Sequence, residues 1–338
     1  MTNLLELLGS ELPVVAAPMS GGPTTTALVL AAAEAGSAGS LAGGYKTPEA
    51  MAAEIAEVRA STERYGVNLF SPKPEPVDPA AYAAYRELLL PLAAVYGVDL
   101  PATPLEDDDG WQAKVDVLLE AAPPFVSFTF GLPEPSAAAQ LRRAGCTLVQ
   151  TVTSADEARQ SLEAGIDALI VQSPDAGGHW GTFTPAWPPE RLRLPELVRA
   201  VRAATNLPIM AVGGIGTSAD VVAALEAGAQ AVAVGTLLLL ATEAGTNPAH
   251  RAGFDHDRGD PVTTSAFSGR PAGGLPNAFL AAYDGRGPLG YPALHHLTSP
   301  IRRAAASAGN AEHVNLWAGT GHRHVEARPA GETLRALV

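Results

Sequence analysis

A (β/α)8 TIM barrel, an α/β fold, is the class this sequence predicts, and three observations lead there. Eight short apolar runs bounded by Gly and Pro alternate with Ala-rich stretches at helical spacing, more runs than a doubly wound open sheet would need. Several of those stretches close on Ala-Gly just before the next run, at Ala35-Gly36, Ala144-Gly145, Ala164-Gly165 and Ala227-Gly228. Glycine supplies the left-handed residue that stops a helix and turns the chain back toward the barrel floor. Glycine clusters also follow the seventh and eighth runs, where such barrels carry a phosphate cradle.

The strands are expected at 12–19, 37–42, 65–70, 125–130, 147–152, 168–172, 208–212 and 231–235. Helices are expected at 48–60, 135–144, 154–164 and 218–227. Residues 71–110 break the alternation: they are Pro-rich, hold a helix-like stretch at 80–96 and carry the acidic run Glu106-Asp107-Asp108-Asp109. Residues beyond 245 mix Gly/Pro turns with a helix near 300–308. The expected organisation is a barrel over 1–245, interrupted by an insertion of about 71–122, and a C-terminal extension over 246–338 that caps the active site as a lid.

Composition narrows the function. The 338 residues are 47% hydrophobic and 17% charged, a balance for a large buried core and against disorder. A net charge of -13 leaves no general basic surface, so neither nucleic acid nor an anionic membrane is an expected partner. Cys146 is the single cysteine, which forbids an internal disulfide and is expected to be a small core residue. The first residues lack the pattern of a signal peptide, and the longest apolar run, 231–241, is too short for a bilayer, so a soluble cytoplasmic protein is expected.

Residues just past strand C-termini face the ligand in this fold. After the first strand, Ala17-Pro18-Met19 is small enough for backbone to lie against a flat molecule. After the seventh and eighth, Gly213-Gly214 and Gly235-Thr236 let backbone N–H groups converge on an anion. No acidic residue stands where a dinucleotide ribose clamp needs one, so the expected phosphate belongs to a mononucleotide such as FMN. Asn68 and Gln172 end the third and sixth strands and carry amides suited to the polar edge of its ring. The loop Asp175-Ala176-Gly177-Gly178-His179-Trp180 then delivers one imidazole to the barrel mouth, where glycines permit close approach to a cofactor.

Other clusters read more plainly. Asp255-His256-Asp257 with Asp260 resembles a ligand set only in composition, and a solvated loop is the favoured reading, with no metal. His322-Arg323-His324 reads as a solvated tail, and Glu106–Asp109 as a solvated face. No Gly-x-Ser-x-Gly elbow or Walker loop is present.

Taken together, Ala17-Pro18-Met19, Tyr65-Gly66-Val67-Asn68-Leu69-Phe70, Ala176-Gly177-Gly178-His179, Gly213-Gly214-Ile215 and Val234-Gly235-Thr236 resemble the nitronate monooxygenase family, formerly 2-nitropropane dioxygenases. The likeness continues through Ser268-Gly269-Arg270-Pro271, Tyr291-Pro292, His295-His296-Leu297-Thr298 and Leu316-Trp317-Ala318-Gly319. It implies noncovalent FMN, alkyl nitronates or nitroalkanes as substrates, molecular oxygen as co-substrate, and His179 as the active-site histidine. It also implies flavin contacts from Asn68, Gln172, Gly177 and Gly178, and a substrate border from Tyr291 and Tyr283. A homo-oligomer is left open.

Two departures stand out. Trp180 replaces a basic residue after the loop histidine, predicting a bulkier and less positive entrance, and Gly273 and Pro276 stand where further basic residues are expected. Those changes leave room for a neutral or more apolar nitro compound. The alternatives are an FMN-dependent enoyl-ACP reductase using NAD(P)H, and a noncatalytic flavin-binding barrel.

Overall fold

The computed structural model describes residues 3–73, 76–255 and 257–338. Eight parallel strands close on themselves: β1 (Val14–Ala16), β2 (Gly39–Ala42), β3 (Tyr65–Phe70), β4 (Phe125–Thr129), β5 (Thr147–Val152), β6 (Ala168–Gln172), β8 (Ile209–Val212) and β9 (Ala231–Val234). Closure runs through Val15 opposite Ala233 and Ala16 opposite Val234. The expected barrel is therefore present, with strand ends trimmed. The first strand stops at Ala16 because Pro18 offers no N–H to a neighbour; the chain beyond it becomes a wall of the cavity described below.

Apolar side chains on both faces of the strands build two layers, as a parallel sheet covered by helices requires. Val15, Phe125, Val149, Ile170 and Met210 fill the barrel interior, and Leu4 and Leu8 of a short N-terminal helix join them. Outside, Val67, Val126, Leu148 and Val232 pack against Ile55, Leu141, Val198 and Val221 of the helical ring. Cys146 is buried in this outer layer. The expected glycine stops are present: Gly36, Gly145, Gly165 and Gly228 have φ of 86°, 97°, 74° and 113°.

The lid draws on two distant segments. Helix Pro79–Tyr96, inserted after β3, and helix Ala293–Ser307 share a core of Tyr82, Tyr85, Leu89, Leu294, Leu297 and Ile301. By contrast, helix Trp111–Ala121 puts Trp111, Val115 and Leu118 into the barrel's outer layer. The C-terminal helix starts at Ala293 rather than near Pro300, which lies inside it; the apolar spacing Leu294, Leu297, Ile301 outweighs one missing N–H.

The acidic run is solvated at Glu106, Asp107 and Asp108, which are exposed, but not at Asp109. Asp109 pairs with buried Lys114 at 2.7 Å and accepts from the Tyr45 backbone N–H at 3.0 Å, while Asp107 lies 2.9 Å from His296 Nε2. It ties the insertion to the barrel and to the lid helix. Burial pushes the Asp109 carboxyl up, against the opposing pull of Lys114.

Candidate active site

A cavity of about 300 Å³ opens at the C-terminal ends of the strands. Ala17, Pro18, Met19, Asn68, Gln172, Gly177, Gly178, His179, Gly213, Gly214, Gly235 and Thr236 all line it. They come from five strand ends and the loops that follow them, so the closure of the barrel brings together what the chain keeps far apart.

One side is backbone. Gly213 has φ of 110°, and a Cβ there would stand 2.5 Å from Ser173 Oγ and 3.0 Å from Ala176 N. The next helix begins with a capping box in which Thr217 and Asp220 exchange side-chain and backbone hydrogen bonds. The C-terminal segment then seals this corner. Gly319 N donates to Thr236 Oγ1 at 3.0 Å, Thr320 N donates to the Asp175 carbonyl at 3.0 Å, and a Cβ on Gly216 would meet the His324 ring at 2.6 Å. The stretch 322–324 is thus part of a short 3-10 helix over the cradle, not a free tail. Arg323 and His324 are nonetheless exposed, and Arg323 reaches Asp260 at 3.3 Å and Asp257 at 3.9 Å. His256 and the Asp255 side chain, named with them as a candidate ligand set, lie outside the described residues.

The amides are more occupied than the sequence suggests. Gln172 Oε1 accepts from Gly181 N at 2.6 Å and its Nε2 donates to the His179 carbonyl at 3.1 Å, so this side chain chiefly braces the histidine loop. Asn68 Nδ2 donates to Ser127 Oγ at 2.9 Å and Thr129 Oγ1 at 3.1 Å, which leaves its oxygen as the free acceptor at the cavity.

The other side is made of side chains. Gly178–His179 forms a two-residue strand, β7, paired antiparallel with β11 (Ala272–Gly274), itself paired with β10 (Val262–Thr264). The lid therefore holds the imidazole by its own backbone, His179 standing opposite Ala272. His179 Nε2 lies 2.8 Å from Ser268 Oγ, whose hydroxyl donates to the Arg270 carbonyl at 3.2 Å. With that proton engaged, Nε2 donates to Ser268 and Nδ1 keeps its lone pair. Enclosure by protein, reinforced by the cations Arg270 and Arg302, lowers the His179 pKa to about 3. The imidazole is neutral at physiological pH, an acceptor rather than a cation.

Aromatic rings frame it: Phe130 at 5.7 Å, Tyr291 at 5.6 Å and Trp317 at 5.7 Å between centroids. Tyr291 does not itself line the cavity; it packs against His179 just behind the wall, its hydroxyl donating to Tyr45 Oη at 3.2 Å. Tyr283 does not line it either. Its ring packs on Phe279 at 4.8 Å and Tyr85 at 6.5 Å inside the lid core, away from the cavity wall. Trp180 also departs from expectation. It is 5% exposed and does not line the cavity; its ring turns back beneath Arg191, so it neither crowds nor screens the entrance. At Gly273 no side chain fits, because a Cβ would lie 2.4 Å from the Ala176 carbonyl where β7 and β11 meet.

Several lining residues escaped the sequence reading. Tyr45 follows the second strand and adopts φ of 66°, so the strand-end rule was enough to find it. Ser268 and His295 belong to stretches that carry the family likeness, but nothing local says which way they point. Arg302 and Asn315 leave no local signal at all. His250 lines the cavity with Nε2 donating to the Trp317 carbonyl at 3.1 Å, and burial lowers its pKa to about 4.

A wall of backbone and amides suited to a planar anionic molecule, facing an uncharged imidazole under a lid, is the layout of an oxidoreductase barrel that works on a bound cofactor. Comparison with known proteins gives the family. The chain belongs to the nitronate monooxygenase family, whose model matches residues 2–338. It is 37% identical to the nitronate monooxygenase of Pseudomonas aeruginosa over 98% of this chain and 97% of that one. It is 31% identical to a probable nitronate monooxygenase of Staphylococcus saprophyticus, covering 100% and 96%. A solved nitroalkane oxidase from Streptomyces ansochromogenes superposes with a TM-score of 0.93 at 40% identity, covering 99% and 96%. FabK from Thermotoga maritima shares the fold, with a TM-score of 0.73 at 24% identity, covering 100% and 94%. Among the described residues no helix is long and apolar enough to cross a membrane.

Proposed function

We propose that the protein uses FMN to oxidise alkyl nitronates, and nitroalkanes more slowly, with molecular oxygen, giving a carbonyl compound and nitrite. The observation that carries this reading is His179: one neutral imidazole, locked by Ser268 with its Nδ1 lone pair available, beside a glycine-built cradle.

The residues fit a flavin mononucleotide. A Cβ at Gly178 would meet no protein atom within 4 Å, so this glycine keeps room free beside His179. Gly213, Gly214, Gly235 and Thr236 would hold the phosphate through backbone and hydroxyl groups, Ala17-Pro18-Met19 would back the ring, and the Asn68 oxygen would accept from its polar edge. When bound, the flavin supplies electron acceptance from the substrate carbon and delivery to oxygen.

The protein's own work is to bind, orient and move one proton. A nitronate is already a carbanion equivalent, so its oxidation needs placement and little acid–base help. A neutral nitroalkane must first lose its α-proton, and the uncharged imidazole of His179, which lines the cavity, would accept it. Phe130, Tyr291 and Trp317 keep water from that space.

The test is an absorbance scan of the purified protein, repeated under nitrogen after adding ethyl nitronate, with oxygen uptake and nitrite measured in air. The reading expects flavin bands that fade with nitronate, and nitrite formed as oxygen is consumed. A colourless protein that FMN cannot restore, or rapid anaerobic bleaching by NADH with none by nitronate, overturns it.

A further inference from the structure

Among the described residues, Arg302 is the one cavity-lining side chain with a fixed charge; no Asp, Glu or Lys shares the wall. It projects from the lid helix Ala293–Ser307, two turns beyond His295. Its guanidinium is held entirely by neutral acceptors: Nε donates to Thr298 Oγ1 at 3.0 Å, Nη1 to Asn315 Oδ1 at 3.2 Å, and Nη2 to the His295 carbonyl at 2.9 Å and His295 Nδ1 at 3.2 Å. A guanidinium has five N–H donors, so one on Nη1 has no protein acceptor.

The surroundings do not neutralise it. Burial lowers its pKa to about 10, which leaves it charged at neutral pH. His295 is driven well below its ordinary range by burial and by Arg302 itself, so it accepts and carries no charge. The His295 ring stacks flat on Tyr45 at 4.2 Å, and Tyr45 joins Tyr291, which borders His179. A buried cation without a counter-ion is costly unless something pairs with it. Here it faces the space next to the reacting end.

We propose that Arg302, aimed by Asn315 and His295, forms an anion subsite that takes a small planar oxyanion of the substrate and so selects anionic over neutral nitro compounds. The oxyanion is either the nitronate head or a carboxylate on the same molecule, both of which match a guanidinium edge. The subsite rests on the proposed nitronate chemistry only for the identity of its anion. It supplies from the lid helix the positive charge that residues 180, 273 and 276 lack.

The experiment compares the protein as purified with Arg302→Gln, Arg302→Lys and Asn315→Asp. Sodium nitrite and sodium acetate binding is measured by calorimetry, and kcat/KM on ethyl nitronate, a carboxylated alkyl nitronate and nitroethane. Arg302→Gln is expected to weaken nitrite and acetate about 10- to 100-fold, the loss typical of a charged hydrogen-bonded contact, while Arg302→Lys retains most of the affinity. Asn315→Asp keeps the arginine but gives it an internal carboxylate, and is expected to weaken both anions about tenfold or more even if the glutamine variant fails to fold.

In kinetics, equal loss on both nitronates assigns the head, and loss confined to the carboxylated one assigns the tail; either supports the subsite. An equal loss on neutral nitroethane, or unchanged nitrite and acetate affinity in Arg302→Gln or Asn315→Asp, overturns it. If the parent protein turns over no nitronate yet its nitrite affinity still depends on Arg302, the functional reading fails and the subsite stands.

Discussion

One wall of the cavity is main chain and the opposite wall is side chains, and the two tolerate change differently. At Gly213, Gly214 and Gly235 the protein works by leaving atoms out, so that backbone can approach a ligand or a neighbouring loop. At Tyr45, His179, His295 and Arg302 it works by projecting long groups whose aim is set by the lid. Substitution on the first wall should damage assembly and cofactor retention. On the second it should damage chemistry while the fold survives.

The sharpest break of that contrast is His179→Ala. Losing a general base costs about 10²- to 10⁴-fold, so kcat/KM on nitroethane should fall by that range, whereas ethyl nitronate should lose less than about tenfold. Equal losses on the two would show that His179 does not act on the proton. Gly213→Ala tests the backbone wall. Positive φ and a contact at 2.5 Å should together cost about 3 kcal/mol and strip pigment from the purified protein. Gly145→Ala, with φ of 97° but no atom within 4 Å, should cost only about 1 kcal/mol. Equal melting temperatures for the two variants would remove close approach as the reason for Gly213.

Acid should separate the walls as well. The His179 pKa is depressed from the ordinary 6.5 to about 3, so unfolding takes up a proton as pH drops below 6.5, and the stability present above that value is lost. Between pH 7 and pH 5 this one residue should contribute about 2 kcal/mol of loss. Denaturant titrations of His179→Asn should therefore show a flatter pH profile by that amount; parallel profiles would mean the imidazole is already protonated in the folded protein. Ser268→Ala should lower kcat on nitroethane about tenfold with little change in KM, with rescue by Ser268→Thr, as expected of a group that orients the imidazole. The smallest effect is reserved for Tyr283→Phe, within about 0.5 kcal/mol and twofold in activity, because this ring sits in the lid core. A larger kinetic loss would return Tyr283 to the substrate border.

The two walls were also unequally legible in the sequence. Glycine clusters after the last two barrel strands announce a cradle because the required backbone freedom is a property of single residues. Asn68 and Gln172 were found by the same strand-end rule, but their partners were not: Gln172 turned out to brace the Gly178-His179 loop because that loop folds back over it to pair with β11. Trp180, read as an obstacle at the entrance, points the other way, since residues alternate sides along the extended loop. Asp109 reads as solvated from its acidic neighbours alone; that Lys114, in the first turn of the helix that follows, is buried and pairs with it is decided by the packing of that helix.

What the chain carries in local order is the barrel itself, its glycine-built corner and the loop bearing His179, because strand period, helix stops and backbone freedom are decided within a few residues. What only the tertiary structure decided is the chemical state of the imidazole and the charge it faces. Ser268, Tyr45, His295 and Arg302 reach one cavity from segments that share no local pattern, and enclosure, which sets whether a base is charged, exists only after they have met.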